Sequence, residues 1–364
     1  METRRRFIAQ SAAVAAAPFI STRVTRALAQ GSRKKLGFAL CGLGGLSENQ
    51  LAPALQKTQY CRLTGIITDT PDKAAKWKSQ YGILDRNVYT YETMAKLADN
   101  KDIDVVYIVT PNALHAEQTA LAAKAGKHVF CEKPMEVSVE KCQEMIDVCK
   151  AAKRRLGVAY RCQFDPNHLE CVRLGREKDL GSIKIIEAGF GFNIGAPGQW
   201  RLKRALSGGG ALMDVGIYAL QATRYLTGEE PTDVTAFEAK RDPVKFAEVD
   251  EDITWSSRFP SGALATCTTS YNSGLINRFR VYTERGWFGL DPAFNYSGNR
   301  GMRSDGKEIA LPSPDLFAAE MDHFAQCILE DRESRISGAE GLRDVKIMMA
   351  IYEAARTGRS VRIT

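Results

Sequence analysis

The sequence predicts an α/β protein of two unlike parts: a parallel sheet covered on both faces by helices, then an α+β domain on an open-faced, mostly antiparallel sheet. Three observations carry this. Up to about residue 160, short continuous apolar runs alternate with helical stretches, as strands buried on both faces require. Beyond about Asn167 the runs become β-branched and aromatic, with Gly-containing turns between them. The 364 residues, 44% hydrophobic and 26% charged, suffice for two cores and exclude a disordered, collagen-like or disulfide-miniprotein chain.

Five strands are expected in the first part: Lys35 to Cys41, Arg62 to Thr68, Asp104 to Val109, Lys127 to Cys131 and Arg155 to Tyr160. Helices should start near Ser47, span Pro71 to Tyr81 and Leu114 to Ala125, and follow a Ser138 cap with Cys142, Met145, Ile146 and Cys149 on one face. In the second part strands are expected over Ile183 to Phe192, Asp233 to Arg241, Ile253 to Phe259, Ala263 to Tyr271, Phe279 to Thr283 and Trp287 to Leu290. Ser261-Gly262 and Arg285-Gly286 make hairpin turns, and a helix from about Glu340 to Ala355 closes the chain. One sheet face should pack on helices and leave the other free for association, so a homo-oligomer, dimer or tetramer, is expected.

Residues 1–29 read as an export signal. Arg4-Arg5-Arg6 opens it, an Ala-rich apolar stretch runs from Phe7 to Ile20, and Ala27-Leu28-Ala29 precedes Gln30. Paired Arg ahead of Phe resembles a twin-arginine signal, which exports folded proteins to the periplasm. The net charge is +7, but the signal holds five Arg and one Glu, leaving +3 for the body. Such a near-neutral body gives no electrostatic footprint for nucleic acid, and no later run is long enough for a membrane span. Nine Cys at irregular spacings read as small buried thiols rather than a disulfide framework. Four His without ligand spacing argue against a metal site.

The first strand runs into Gly42-Leu43-Gly44-Gly45-Leu46, where a glycine turn meets a helix start. Glycine lets the backbone approach a pyrophosphate, and the free N–H groups and helix dipole attract its charge. Ser47 stands at the third fingerprint position. The pattern makes residues 30–160 a Rossmann NAD(P)-binding domain, with 161–364 a substrate-binding and oligomerisation domain. At the end of the second strand, Thr68 and then Lys73 favour NADP, whereas Asp69 would suit NAD. Thr110-Pro111-Asn112 with His115, and Glu132-Lys133-Pro134-Met135, end the third and fourth strands on the edge where a nicotinamide would extend. A third segment, Gly208-Gly209-Gly210, leads into a helix on which Asp214 and Tyr218 share a face. Such a Lys, Asp and Tyr could bind a sugar hydroxyl and move its proton as hydride leaves the same carbon.

These segments, with AYRCQFDP, QWRLKR and IYEAARTGR, closely resemble the glucose–fructose oxidoreductase group of the Gfo/Idh/MocA family over about Lys35 to Arg362. The resemblance implies retained NADP, oxidation of an aldose to its lactone and reduction of a second sugar to an alditol. It also implies that Lys133 polarises the reacting oxygen, Tyr218 exchanges the proton and Asp214 orients substrate. Tyr160, Arg161, Trp200 and Arg201 would line the sugar pocket; Glu132, Lys133 and Arg161 would also face the cofactor. The group's long proline-rich arm has no counterpart between the signal and the first strand. Two rival readings remain at this point: an NAD-dependent glycosidase of the same superfamily, and a non-catalytic periplasmic sugar binder.

Overall fold

The computed structural model of the chain describes residues 35–363. The expected export signal over 1–29 and its expected cleavage site near Gln30 lie outside the described residues.

All five strands expected in the first part form, with a short sixth, a single parallel sheet. Its members are β1 (Leu36–Cys41), β2 (Cys61–Ile67), β3 (Val88–Tyr89), β4 (Val105–Ile108), β5 (His128–Cys131) and β6 (Leu156–Val158), in the order β3-β2-β1-β4-β5-β6. The order reverses beside β1, so the crevice at its carboxyl end is the topological switch point where ligands bind in such sheets. Every residue of β1 and β4 is buried, which explains their continuous apolar character. The covering helices are α1 (Ala52–Leu55), α2 (Pro71–Tyr81), α3 (His115–Lys124) and α4 (Val139–Ala151). Ser138 caps α4 as expected, accepting from Lys141 N at 3.3 Å.

The second sheet has nine strands. They are β7 (Ile183–Gly191), β8 (Asp233–Ala239), β9 (Asp252–Arg258), β10 (Leu264–Ser270), β11 (Ile276–Thr283), β12 (Gly286–Leu290), β13 (Gly301–Arg303), β14 (Glu308–Ile309) and β15 (Val361–Arg362). All pairings are antiparallel except β7 with β10. In β9, Ile253, Trp255 and Ser257 point inward and Thr254 and Ser256 outward, the period-two alternation of a half-covered sheet. Helices α5 (Pro166–Arg176) and α7 (Ile217–Thr227) cover one side, α7 packing on β7 and β10, while the short α6 (Arg204–Ser207) packs against the turn after β4. The outer face carries Ile185, Phe237 and Leu264, with Phe237 77% exposed.

Two features differ from the sequence reading. Helix α8 (Leu316–Leu329), capped by Asp315 through Phe317 N and Ala318 N, follows the loose stretch 298–314 and carries no strong start signal beyond that Asp. Together with α9 (Gly338–Thr357), α8 returns onto the first sheet: Phe324 stacks on Phe130 at 4.9 Å, and Val158 N donates to Ile336 O at 2.8 Å. The sheets divide near residue 160, but the buried core runs continuously through both. All nine Cys are buried free thiols.

Candidate active site

At the end of β1, Gly42 takes φ +97°, and a Cβ there would stand 2.9 Å from both Val109 O and Thr110 Cγ2. Only glycine satisfies that turn. Gly44 and Gly45 are exposed, and nothing approaches within 4 Å of where a Cβ would stand on Gly44. The helix that follows opens with a wide π-type turn over Ser47–Leu51, in which Ala52 N bonds Ser47 O. Ser47 is buried and its hydroxyl donates to Gly42 O at 2.6 Å. The serine that replaces the third fingerprint glycine therefore ties the turn to the helix. Lys73 Nζ donates to Leu43 O at 3.1 Å, placing an ammonium beside the glycine turn. Thr68 is buried at the end of β2, while the Asp69 carboxylate accepts from Tyr91 N at 3.0 Å. An open glycine turn over a helix N-terminus fits a pyrophosphate.

Two further loops complete the floor. Thr110 Oγ1 donates to Gln118 Oε1 at 2.6 Å, and Asn112 Nδ2 donates to Ser207 O at 2.8 Å, joining the first sheet's edge to α6. Pro111 sits between them and does not line the crevice. His115, expected at the cofactor, is wholly buried behind it. Its Nε2 lies 3.0 Å from Thr110 O and its Nδ1 3.1 Å from Met135 O, so the imidazole braces the two loops from behind.

The reactive residues converge where the sheets meet. Lys133 Nζ donates to Asp214 O at 2.6 Å and to Asp214 Oδ1 at 3.1 Å. Asp214 Oδ2 accepts from Arg201 Nε at 3.1 Å and from Tyr271 OH at 2.8 Å. Burial alone would raise the Asp214 carboxyl, but Lys133, Arg201 and the Tyr271 hydroxyl outweigh it and hold the group below its ordinary value. Burial likewise opposes the Lys133 ammonium, yet Tyr218, Asp214 and Glu132 hold it above its ordinary value. Lys133 Nζ and the Arg161 guanidinium each lie 4.9 Å from the centre of the Tyr218 ring. Burial raises the Tyr218 phenol despite those two cations. Arg161 is fixed by Phe294 O at 2.7 Å and Asn295 O at 2.8 Å.

Local sequence explains how Asp214 is aimed. The three glycines pack rather than bind: a Cβ on Gly210 would lie 2.0 Å from Asp250 O, and one on Gly209 2.1 Å from Tyr352 Oη. Asp250 then accepts from Gly210 N at 2.6 Å and Leu212 N at 2.8 Å, fixing the start of a second π-type turn over Leu212–Gly216. Both such turns in the described residues therefore lie at the crevice, where wide turns re-aim functional groups. Asp214 and Tyr218 do converge, although through this turn rather than a regular helix.

The resulting crevice has a volume of about 640 Å³ and brings together Gly44, Gly45, Leu46, Thr110, Asn112, Glu132, Lys133, Arg161, Trp200, Arg201, Asp214 and Tyr218. Tyr160 is the exception among the expected sugar contacts. Ala159 and Arg161 line the crevice and Tyr160 does not: it is buried just before the turn that starts at Arg161, with its hydroxyl near the Asp344 carboxyl. Several lining residues were not among those expected: Asn49, Gln50, Phe190, Phe192, Asn295 and Tyr296. The period-two spacing of Phe190, Phe192 and Ile194 was a usable signal; Tyr296, 48% exposed on a loop, offered none.

Family models match over residues 36–160, described as an oxidoreductase family with an NAD-binding Rossmann fold, and over 168–289, the Gfo/Idh/MocA C-terminal domain. The chain belongs to the Gfo/Idh/MocA family. Among curated members it is 32% identical over 335 residues to D-xylose 1-dehydrogenase [NADP(+)] of Haloarcula marismortui, covering 90% of this chain and 92% of that one. It is 28% identical to D-xylose 1-dehydrogenase (NADP(+)) 2 of Haloferax volcanii, covering 90% and 99%. Among solved structures, aldose-aldose oxidoreductase from Caulobacter crescentus complexed with glycerol superposes with a TM-score of 0.88 at 42% identity, covering 90% and 100%. The protein is thus an oxidoreductase of this family with a Rossmann NAD(P)-binding domain.

Proposed function

We propose that the protein oxidises an aldose at C1 to its lactone and reduces a second sugar, a ketose or another aldose, to an alditol, using one tightly held NADP. The observation that carries this reading is the Lys133–Asp214–Tyr218 cluster, set at the mouth of a glycine cradle and flanked by Arg161, Arg201 and aromatic side chains. The NADP-dependent and aldose-specific names of the similar proteins support it, as does Lys73 beside the glycine turn. The chemistry such a cofactor supplies is reversible hydride transfer. Gly42 to Leu46 and the helix N-terminus would hold its pyrophosphate.

Lys133 Nζ, charged and pinned by Asp214, holds the C1 oxygen of the aldose. In the oxidative half-reaction the C1 hydroxyl proton passes to Tyr218 as hydride leaves C1, and the lactone departs. In the reductive half-reaction Tyr218 returns that proton to the carbonyl oxygen of the second sugar as hydride reaches its carbonyl carbon. Lys133 and Arg161 against the ring lower the free energy of the phenolate that the first half needs, and the raised phenol suits the donor role of the second. Trp200, stacked under Arg201 at 4.6 Å, and Tyr296 give flat apolar surfaces for sugar rings. The signal over 1–29 would send the loaded enzyme to the periplasm, and apolar Ile185, Phe237 and Leu264 on the open sheet face would pair it with another copy.

Denaturing the purified protein after exposure to a panel of aldoses tests the proposal. Released NADPH, with the matching lactone or aldonate in solution, is the expected result. A protein that carries and binds neither nicotinamide cofactor refutes it.

A further inference from the structure

Behind the catalytic crevice lies a second cavity of about 360 Å³, between α5, α7 and the segment before α9. Tyr218 lines both spaces, so its ring side forms part of the wall between them. The charges around this second cavity are unbalanced. The acidic residues that line it are already engaged: Arg224 bonds Glu230 at 2.6 Å and Glu340 at 3.2 Å, and Arg343 also pairs with Glu340. Among the described residues, Arg176 donates only to Tyr225 O, at 3.0 Å. Arg335 stacks on Phe164 at 4.2 Å and has no carboxylate partner among the described residues. Burial and the neighbouring Arg332 depress its guanidinium below the ordinary value.

Arg176 and Arg335 line the cavity while remaining exposed to solvent, and the planar fork of a guanidinium without a carboxylate partner matches a carboxylate or phosphate. The volume falls at the lower end of small-ligand pockets, enough for a phosphate or a six-carbon polyhydroxy acid. We propose that this cavity is a second binding site that takes a small oxyanion-bearing molecule through Arg176 and Arg335, with the ligand resting against the back of Tyr218. The site does not depend on the sugar reaction. A polyhydroxy carboxylate, which lactone hydrolysis would supply, is one source of that chemistry, and a free phosphate is the other.

Isothermal titration of the cofactor-loaded protein at low ionic strength, with inorganic phosphate in one arm and gluconate in the other, tests this. Wild-type protein should bind at least one of them at one site per chain. Arg335→Gln and Arg176→Gln should each weaken binding about tenfold to hundredfold. Arg335→Lys should weaken it less, and Arg201→Gln in the crevice should leave it unchanged. Binding of phosphate alone or of gluconate alone supports the site and names the source. Absence of binding by wild type overturns the proposal, as does binding that survives both Arg335→Gln and Arg176→Gln. Bound dinucleotide and thermal midpoint, measured on the same preparations, report folding and cofactor retention separately, so failure here is distinct from failure of the sugar reaction.

Discussion

Replacing Asp214 by Asn removes one charge from the centre of the crevice and changes little in shape. Its two oxygens serve three partners: Lys133 at 3.1 Å, Arg201 at 3.1 Å and Tyr271 at 2.8 Å. The side chain is only 19% exposed, so solvent screens these contacts weakly. Removing one partner of such a pair costs about 3–5 kcal/mol, because the cations stay desolvated. The amide oxygen still accepts from Tyr271, which recovers about 1 kcal/mol and leaves a loss of about 2–4 kcal/mol. At roughly 2 °C per kcal/mol for a protein of this size, the melting temperature should fall by about 4–8 °C. Lys133 keeps its bond to Asp214 O at 2.6 Å, but its ammonium is no longer aimed by the carboxylate, and kcat should fall about a hundredfold. Calorimetry and steady-state aldose oxidation on the cofactor-loaded protein measure both quantities. A variant that melts with wild type and turns over within about twofold of it would show that the carboxylate does not organise the two cations.

Other outcomes follow from the same geometry. Tyr218→Phe should lower kcat by about 10²–10⁴-fold with little change in KM, and it should abolish the rise in aldose oxidation with pH. That rise is expected because the raised phenol must lose its proton to act as base, so the oxidative half speeds up toward alkaline pH and the reductive half does not. Lys73→Gln should weaken NADP binding about tenfold and leave NAD binding unchanged; equal effects on both cofactors would remove the ammonium from the 2′-phosphate site. Gly42→Ala forces a side chain into a left-handed turn against Val109 O, and the purified variant should carry little dinucleotide by absorbance. Glu320 is wholly buried, and among the described residues neither of its oxygens finds a hydrogen-bond donor. Burial, then Glu132, raise its carboxyl well above the ordinary value. The folded state therefore holds a proton that the unfolded chain loses from about pH 4.3 upward. Stability contributed by that proton is full below this pH and declines as pH rises toward the folded value; chemical denaturation of Glu320→Gln should lack that decline.

How much of this was legible in the sequence varies along the chain. The parallel strands were, because burial on both faces leaves continuous apolar runs such as LGFALC and DVVYIV. Their order around β1 also placed the glycine turn, Thr110 and Lys133 on one edge, since side chains at the carboxyl ends of neighbouring parallel strands must converge there. The Asp214 and Tyr218 pair was legible from spacing alone. Helix α8 was not, since its only start signal is Asp315 and its apolar face is defined by packing on Phe130. Residue types and strand ends set the chemistry of the crevice, because a turn that needs Gly42 and a charged Lys133 at a strand end are local properties.

Long-range contacts decided the rest. Tyr160 lost its expected place because its side chain packs away from the crevice near Asp344, while His115 supports the cofactor loops from behind, where three backbone carbonyls hold its ring. Asp250, distant in sequence, aims the turn that carries Asp214, and Arg224 gathers Glu230, Glu340 and Asp344 from separate parts of the chain. Such partnerships depend on which side chains meet across the two sheets, and no spacing in the linear chain encodes that.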